Sequence, residues 1–306
     1  MNSDKFKVTF GYILICLIWG STWLAIKVGL DYFTPLAGAG FRFTSAAVIF
    51  FIIIKIRNIE VSLEPLALKI YGMLALFSYI LPFSLVYWAE KYVPTGLTSI
   101  LFGVLPFFVV IFSKIFMPES RVGASQWTGV ALGFTGLFII FSKNLKVDIQ
   151  NDFWGMLAVF GSAIMQAFVA VMMKKHSKGL NPLSVSFLPT LIAGPVLILA
   201  GFIFEGSSTW VFNAPGIISF LYLALFGTVI AFSTHYWLMK KINIVILSLN
   251  TFITPIVAVL LGVFILNETF TMRDIVGSSF VLIGILFANF TGIINYLKNS
   301  KSAFKA

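Results

Sequence analysis

Nine stretches of this chain run for 19 to 34 residues without one Asp, Glu, Lys or Arg: 8–26, 70–89, 92–113, 122–142, 153–173, 179–204, 206–239, 242–267 and 275–297. A tenth, 32–54, is interrupted only by Arg42. A helix needs roughly 20 apolar residues to cross the hydrocarbon core of a bilayer. Ten spanning helices are therefore expected, with a loop inside 206–239 ahead of its helix. Charge excludes a water-facing fold: 10% of the residues are Asp, Glu, Lys or Arg, against about 25% in soluble domains. The expected fold is an all-α integral membrane protein held in the lipid bilayer. The first stretch follows Lys5 and Lys7, as a secretory signal would, but it runs 19 residues. No A-x-A-like cleavage site follows, so it is expected to be a retained helix.

The formal net charge of +10 would suggest nucleic acid in a soluble protein; in a membrane protein, basic residues sort by side instead. With the first residues in the cytoplasm and ten alternating helices, fifteen Lys and Arg fall in cytoplasmic segments. Only four, Lys91, Lys143, Lys146 and Arg273, fall in outer loops. Both termini are thus expected in the cytoplasm, and no nucleic-acid partner is expected. Cys16 is the only cysteine, which excludes an internal disulfide and a Cys/His metal cluster. No metal or cofactor is expected. Pro35, Pro65, Pro94, Pro182 and Pro215 stand where helices should begin, because a missing N–H costs least there.

The apolar stretches are duplicated. Leu74-Ala75-Leu76-Phe77 returns at Leu223-Ala224-Leu225-Phe226, Phe83-Ser84 at Phe232-Ser233 and Tyr87-Trp88 at Tyr236-Trp237. Ser99 returns at Ser248, Pro106 at Pro255 and Glu119 at Glu268, every pair 149 residues apart. Gly129 and Gly136 repeat at Gly277 and Gly284 with an offset of 148. Earlier in each copy the match is poorer, and Pro35-Leu36 pairs with Pro182-Leu183. Two repeats of five spans each are expected, 8–142 and 153–297. Five is odd, so the second repeat enters the bilayer from the opposite side. The result is an inverted-topology pair about a pseudo-two-fold axis in the membrane plane. That symmetry places a shared cavity near the midplane and lets each half adopt the other's conformation, which is alternating access.

The first repeat reads Ile18-Trp19-Gly20-Ser21-Thr22-Trp23, then Phe41-Arg42-Phe43, then Tyr92-Val93-Pro94-Thr95-Gly96, Pro106, Glu119 and Gln126-Trp127-Thr128-Gly129. This resembles the EamA-type repeat of the drug/metabolite transporter superfamily, over nearly the whole chain. The resemblance implies a ten-helix bundle, a central cavity and transport of small metabolites; many bacterial members are similar to amino-acid and metabolite exporters. The second repeat departs at its first span, where Ala163-Ile164 replaces Trp19-Gly20. Any role for that tryptophan belongs to one half.

Twelve residues are expected to line the cavity: Trp19, Trp23, Arg42, Tyr79, Phe83, Ser99, Phe102, Gln166, His235, Ser248, Asn250 and Thr251. Trp19 lies near the bilayer middle, away from the interfaces where tryptophan gathers; Trp23 follows four residues later on the same stripe, with Lys27 beyond it. Arg42 lies about 10 Å of helix rise after Pro35. A charge at that depth faces the interior or a wet cavity, either bonded to carbonyls or attracting a substrate carboxylate. Asp31 and Glu90 are the acids available to it. Pro106 and Pro255 should kink the fourth and ninth spans, freeing carbonyls near Phe102 and Thr251, with Ser99 and Ser248 a turn further back. Asn250 and Gln166 offer amides, and His235 titrates near neutrality when unperturbed. Tyr87-Trp88 and Tyr236-Trp237 fit interfacial belts better than a binding site, while Tyr79 and Phe83 lie deeper. Glu119 and Glu268 each precede a span and are expected to cap it.

No acid lies deep in a span, no Walker motif appears and no nucleophile–base pair is evident, so an enzyme is not expected. The leading expectation is an inner-membrane exporter of small neutral or zwitterionic metabolites such as amino acids, monomeric or homodimeric. The alternatives are an importer of a small cation such as choline, recognised by cation–π contact, and a non-transporting membrane assembly protein.

Overall fold

The structure, a computed structural model, describes residues 3–117, 123–141, 151–176, 179–239, 241–242, 247 and 250–302. Regular structure among these residues is entirely helical. Ten helical passes follow in order: α1 (Phe6–Gly29), α2 (Pro35–Ile56), α3 (Pro65–Ala89), α4 (Thr95–Phe116), α5 (Ala124–Phe141), α6 (Asp152–His176), α7 (Pro182–Glu205), α8 (Ala214–His235), α9 (Asn250–Leu266) and α10 (Met272–Phe290). Nine are long and apolar enough to cross a bilayer; α9, with 17 residues, is the shorter one. Prolines stand in the first turns of α2, α3, α7 and α8, as the sequence predicts. We call the end where α1 begins and α10 finishes the near end, and the opposite one the far end.

The packing scheme maps onto itself when each helix is exchanged for the one five places later. Helices α2 and α7 pack on each other, as do α5 and α10; α1 packs on α8 and α9, and α6 correspondingly on α3 and α4. The halves are therefore interleaved. The first helix of each repeat lies mainly against the other repeat, so neither five-helix half is a bundle by itself.

Glycine sets the α5–α10 crossing. A Cβ on Gly129 would stand 2.5 Å from the Gly284 carbonyl oxygen, and one on Gly284 2.7 Å from that of Gly129. Gly136 and Gly277 meet in the same reciprocal way. Small residues let helix backbones touch, the usual source of cohesion where lipid supplies no hydrophobic drive.

Two further irregularities follow the repeat. Both α3 and α8 widen into π-helix, over Ala75–Ile80 and Leu225–Ile230, within the duplicated Leu-Ala-Leu-Phe region. The expected kinks differ between copies. Helix α4 is interrupted at Gly103-Val104, ahead of Pro106, whereas α9 continues through Pro255. The second copy carries Phe252 where the first has Gly103, and glycine is the weaker helix former.

Candidate functional site

Arg42 stands between α2, α3 and α8 and is 4% exposed. Its Nε donates to Thr228 Oγ1 at 3.2 Å, and that hydroxyl donates to the Leu223 carbonyl at 3.0 Å. The five-residue reach of the second bond belongs to the π-helical turn of α8; the wider turn leaves a carbonyl for the hydroxyl to take. The guanidinium carbon lies 4.8 Å from the Phe83 ring centroid and 5.3 Å from that of Phe43. Its hydrogen-bond partner is a hydroxyl, and no carboxylate pairs with it among the described residues. A buried cation held this way is solvated by dipoles and ring faces but not neutralised.

Aromatic rings continue from this point. Phe43 meets Tyr79 and Phe83 edge-on at 5.1 and 4.9 Å between centroids, and Trp23 meets Phe102 at 5.4 Å. Trp23, Phe43, Tyr79, Phe83 and Phe102 belong to one contiguous apolar cluster. The π-turn of α3 is used differently from that of α8. Ser78 donates its hydroxyl to Gln166 Oε1 at 2.8 Å, and Gln166 Nε2 donates back to the Ser78 carbonyl at 2.8 Å.

At the near end, α2, α7 and α8 part around a cavity of about 650 Å³. Ile53, Arg57, Asn181, Val229, Ser233 and Trp237 are among its lining residues. Val229 and Ile230 of that lining adjoin Thr228, the residue that holds Arg42.

At the far end the described residues pack closely. Glu268, in the turn after α9, accepts from the N–H groups of Thr95 and Gly96 at 2.5 and 3.0 Å, capping α4. Glu205, at the end of α7, accepts from Leu36 N at 3.0 Å, serving the start of α2. Phe33, Phe41, Trp210, Phe212 and Phe220 interlock edge to face or tilted. Trp210 Nε1 also donates to Thr34 Oγ1 at 3.1 Å. Lys27 Nζ donates to the backbone carbonyl of Glu90, in the α3–α4 turn. The Glu90 side chain is fully buried, and among the described residues neither carboxylate oxygen has a hydrogen-bond partner. Burial drives its carboxyl well above the ordinary range; Lys27 draws it down and Glu268 pushes it further up.

The profile of the EamA-like transporter family matches residues 7–142 and 153–290. The chain belongs to the EamA-like transporter family. Protein PagO of Salmonella typhimurium is 28% identical over 281 residues, covering 92% of each chain. The uncharacterized transporter YoaV of Bacillus subtilis is 28% identical over 93% of this chain and 97% of its own. The uncharacterized inner membrane transporter YedA of Escherichia coli is 28% identical over 83% and 81%. A solved crystal structure superposes with a TM-score of 0.67 over 93% of this chain and 96% of that one, at 18% identity; this likeness concerns the fold. The protein is a multi-pass membrane transporter of the EamA type.

Within this EamA-like fold the twelve expected residues fall into separate groups. Arg42, Tyr79, Phe83, Trp23 and Phe102 come together around the cluster just described. Trp19 lies apart, against Phe232 at 5.7 Å and His235 at 5.2 Å. Gln166 is engaged with α3. Ser99 is buried and its hydroxyl has no partner among the described residues, Asn250 is buried, and Thr251 half-buried. Ser248 lies outside the described residues, as does Glu119. None of the eleven described residues among the twelve lines the near-end cavity.

Three other expectations change. Glu268 does not cap the helix that follows it; Thr271 and Asp274 form that N-terminal box, with Asp274 Oδ2 accepting from Thr271 N at 2.9 Å. Tyr87 is 2% exposed and packed under Gly38, so it is a core residue and not part of an interfacial belt. Neither Asp31 nor Glu90 pairs with Arg42. Nothing in the local sequence marks Glu205 or Thr228, because their partners Leu36 and Arg42 lie 169 and 186 positions away.

Proposed function

We propose that this transporter carries small neutral or zwitterionic metabolites bearing a carboxylate, amino acids foremost, by alternating access between its near and far ends. The observation that carries the reading is Arg42: a buried guanidinium with a hydroxyl and two ring faces for company and no carboxylate among the described residues. A substrate carboxylate supplies the missing counter-charge, and the Trp23–Tyr79–Phe83–Phe102 cluster offers an apolar wall for the rest of a small molecule. The basic-residue bias supports a cytoplasmic near end, and the name of YedA supports an inner-membrane setting. Export, as opposed to import, rests on the family resemblance. The repeats 8–142 and 153–297 are proposed to act as the two inverted halves of the cycle.

Counterflow in proteoliposomes tests the substrate class. Radiolabelled amino acids should exchange. Arg42→Gln should lower that exchange at least ~30-fold, the equivalent of about 2 kcal/mol of charge-assisted hydrogen bonding. Absence of exchange for every amino acid and related metabolite would reject the class. Exchange of a choline-like cation by the unaltered protein, without exchange of amino acids, would favour the cation reading instead.

A further inference from the structure

The far-end turn between α3 and α4 holds an acid whose side chain has no hydrogen-bond partner among the described residues. Glu90 has 0% of its surface exposed, and both of its side-chain oxygens lack a hydrogen-bond partner among the described residues. Among the described residues its surroundings are these, element by element. From α1 comes Lys27, whose ammonium is spent on the Glu90 backbone carbonyl. From the turn after α9 comes Glu268, whose two oxygens are spent on Thr95 N and Gly96 N. One turn back on α3 stands Tyr87, itself buried, with Arg42 beyond it. Helix α6 presents Gly155, packed on Ala89 and Val93, and α4 presents Thr95; neither titrates. An ionised carboxylate here would be dry, unbonded and beside a second carboxylate, which is among the most unfavourable states a side chain can occupy. A protonated acid fits the same space.

We propose that Glu90 is a proton-binding site that latches the far gate: it carries a proton while the far end is closed, and releases it when that end opens. Opening admits water to the carboxylate, separates it from Glu268 and frees the Lys27 ammonium to pair with it. The proton passes to water, and no other bond changes. The closed state binds the extra proton, so closure is favoured at low pH. It is lost as pH rises from the ordinary carboxylate range through the raised value that burial imposes on Glu90. The gate itself belongs to the alternating-access reading above, so the test separates the two.

Spin labels on Lys91→Cys and Thr269→Cys in a Cys16→Ala background span the far end, and their distance is read by pulsed electron resonance on the full-length protein. The short distance should dominate at pH 5, and a longer population should grow toward pH 9. Glu90→Gln, which imitates the protonated acid, should hold the short distance at both values. Glu90→Asp should restore a pH response, which separates titration from simple loss of fold. Lys27→Gln should move the transition to higher pH. Independently of any gate, the infrared carbonyl band of a protonated acid should be present at neutral pH in the unlabelled protein and absent in Glu90→Gln. The proposal is overturned if that band is absent, or if the pH response survives in Glu90→Gln. A distance that responds to amino-acid substrate but not to pH keeps alternating access and rejects the proton latch.

Discussion

Leu36 and Leu183 occupy the same place in the two repeats, one residue after the proline that opens α2 or α7, yet their backbone N–H groups are served in opposite ways. At the near end Leu183 donates to Asn181 Oδ1 at 2.9 Å, a partner two residues away. At the far end Leu36 donates to Glu205 Oε2 at 3.0 Å, a partner in the other repeat. The surroundings follow the same division. Between α2, α7 and α8 the near end encloses about 650 Å³. In the counterpart space between α7, α2 and α3, a Cβ on Gly201 would stand 2.9 Å from Ala37 N and one on Gly38 3.4 Å from the Tyr87 ring. At this pair of positions the near-end cap is local and the far-end cap crosses the repeats. Elsewhere the ends are mixed, since Lys175 Nζ donates to the Phe116 carbonyl across the repeats at the near end and Asn213 caps α8 locally at the far end.

The contrast is open to attack by substitution. The largest effect is expected from Glu268→Ala, which strips two N–H groups of α4 of a charged acceptor. For this half-buried carboxylate we expect a loss of about 2 kcal/mol, read as a lower Tm in detergent and a longer far-end distance. An unchanged Tm would mean that the cap does not hold the end. Glu205→Ala removes one such bond and should cost about 1 kcal/mol while again lengthening the far end. Asn181→Ala should cost about the same or slightly less, but with the far-end distance unchanged, because its cap never leaves its own helix. Equal far-end responses to Glu205→Ala and Asn181→Ala would break the distinction between the two ends.

What the sequence discloses is what the bilayer imposes locally. Span length, charge exclusion, prolines in first turns and the 149-residue echo are readable because each is settled within about twenty residues or by direct comparison of two strings. The residues that hold the ends are not readable in this way. Glu268 looks like a cap for α10, since helix starts usually recruit acids nearby; its actual targets, Thr95 and Gly96, lie 173 and 172 positions away. Glu90 reads from the sequence as an acid available to Arg42, and only the arrival of α1, α6 and the turn after α9 makes it dry and leaves it apart from that guanidinium. Tyr87-Trp88 reads as a belt pair, but Gly38 on α2 leaves a recess that takes the tyrosine ring. The π-turns coincide with a conspicuous duplicated string, yet nothing in Leu-Ala-Leu-Phe specifies a wider hydrogen-bond ladder.

Because α1 rests mainly on α8 and α9, its packing partners are synthesised some two hundred residues after it. During biogenesis α1 must wait in lipid or beside the insertion machinery until Ala214–His235 and Asn250–Leu266 have left the ribosome. Truncated chains ending before α8 should accordingly be substrates for membrane quality control, however well their individual helices insert.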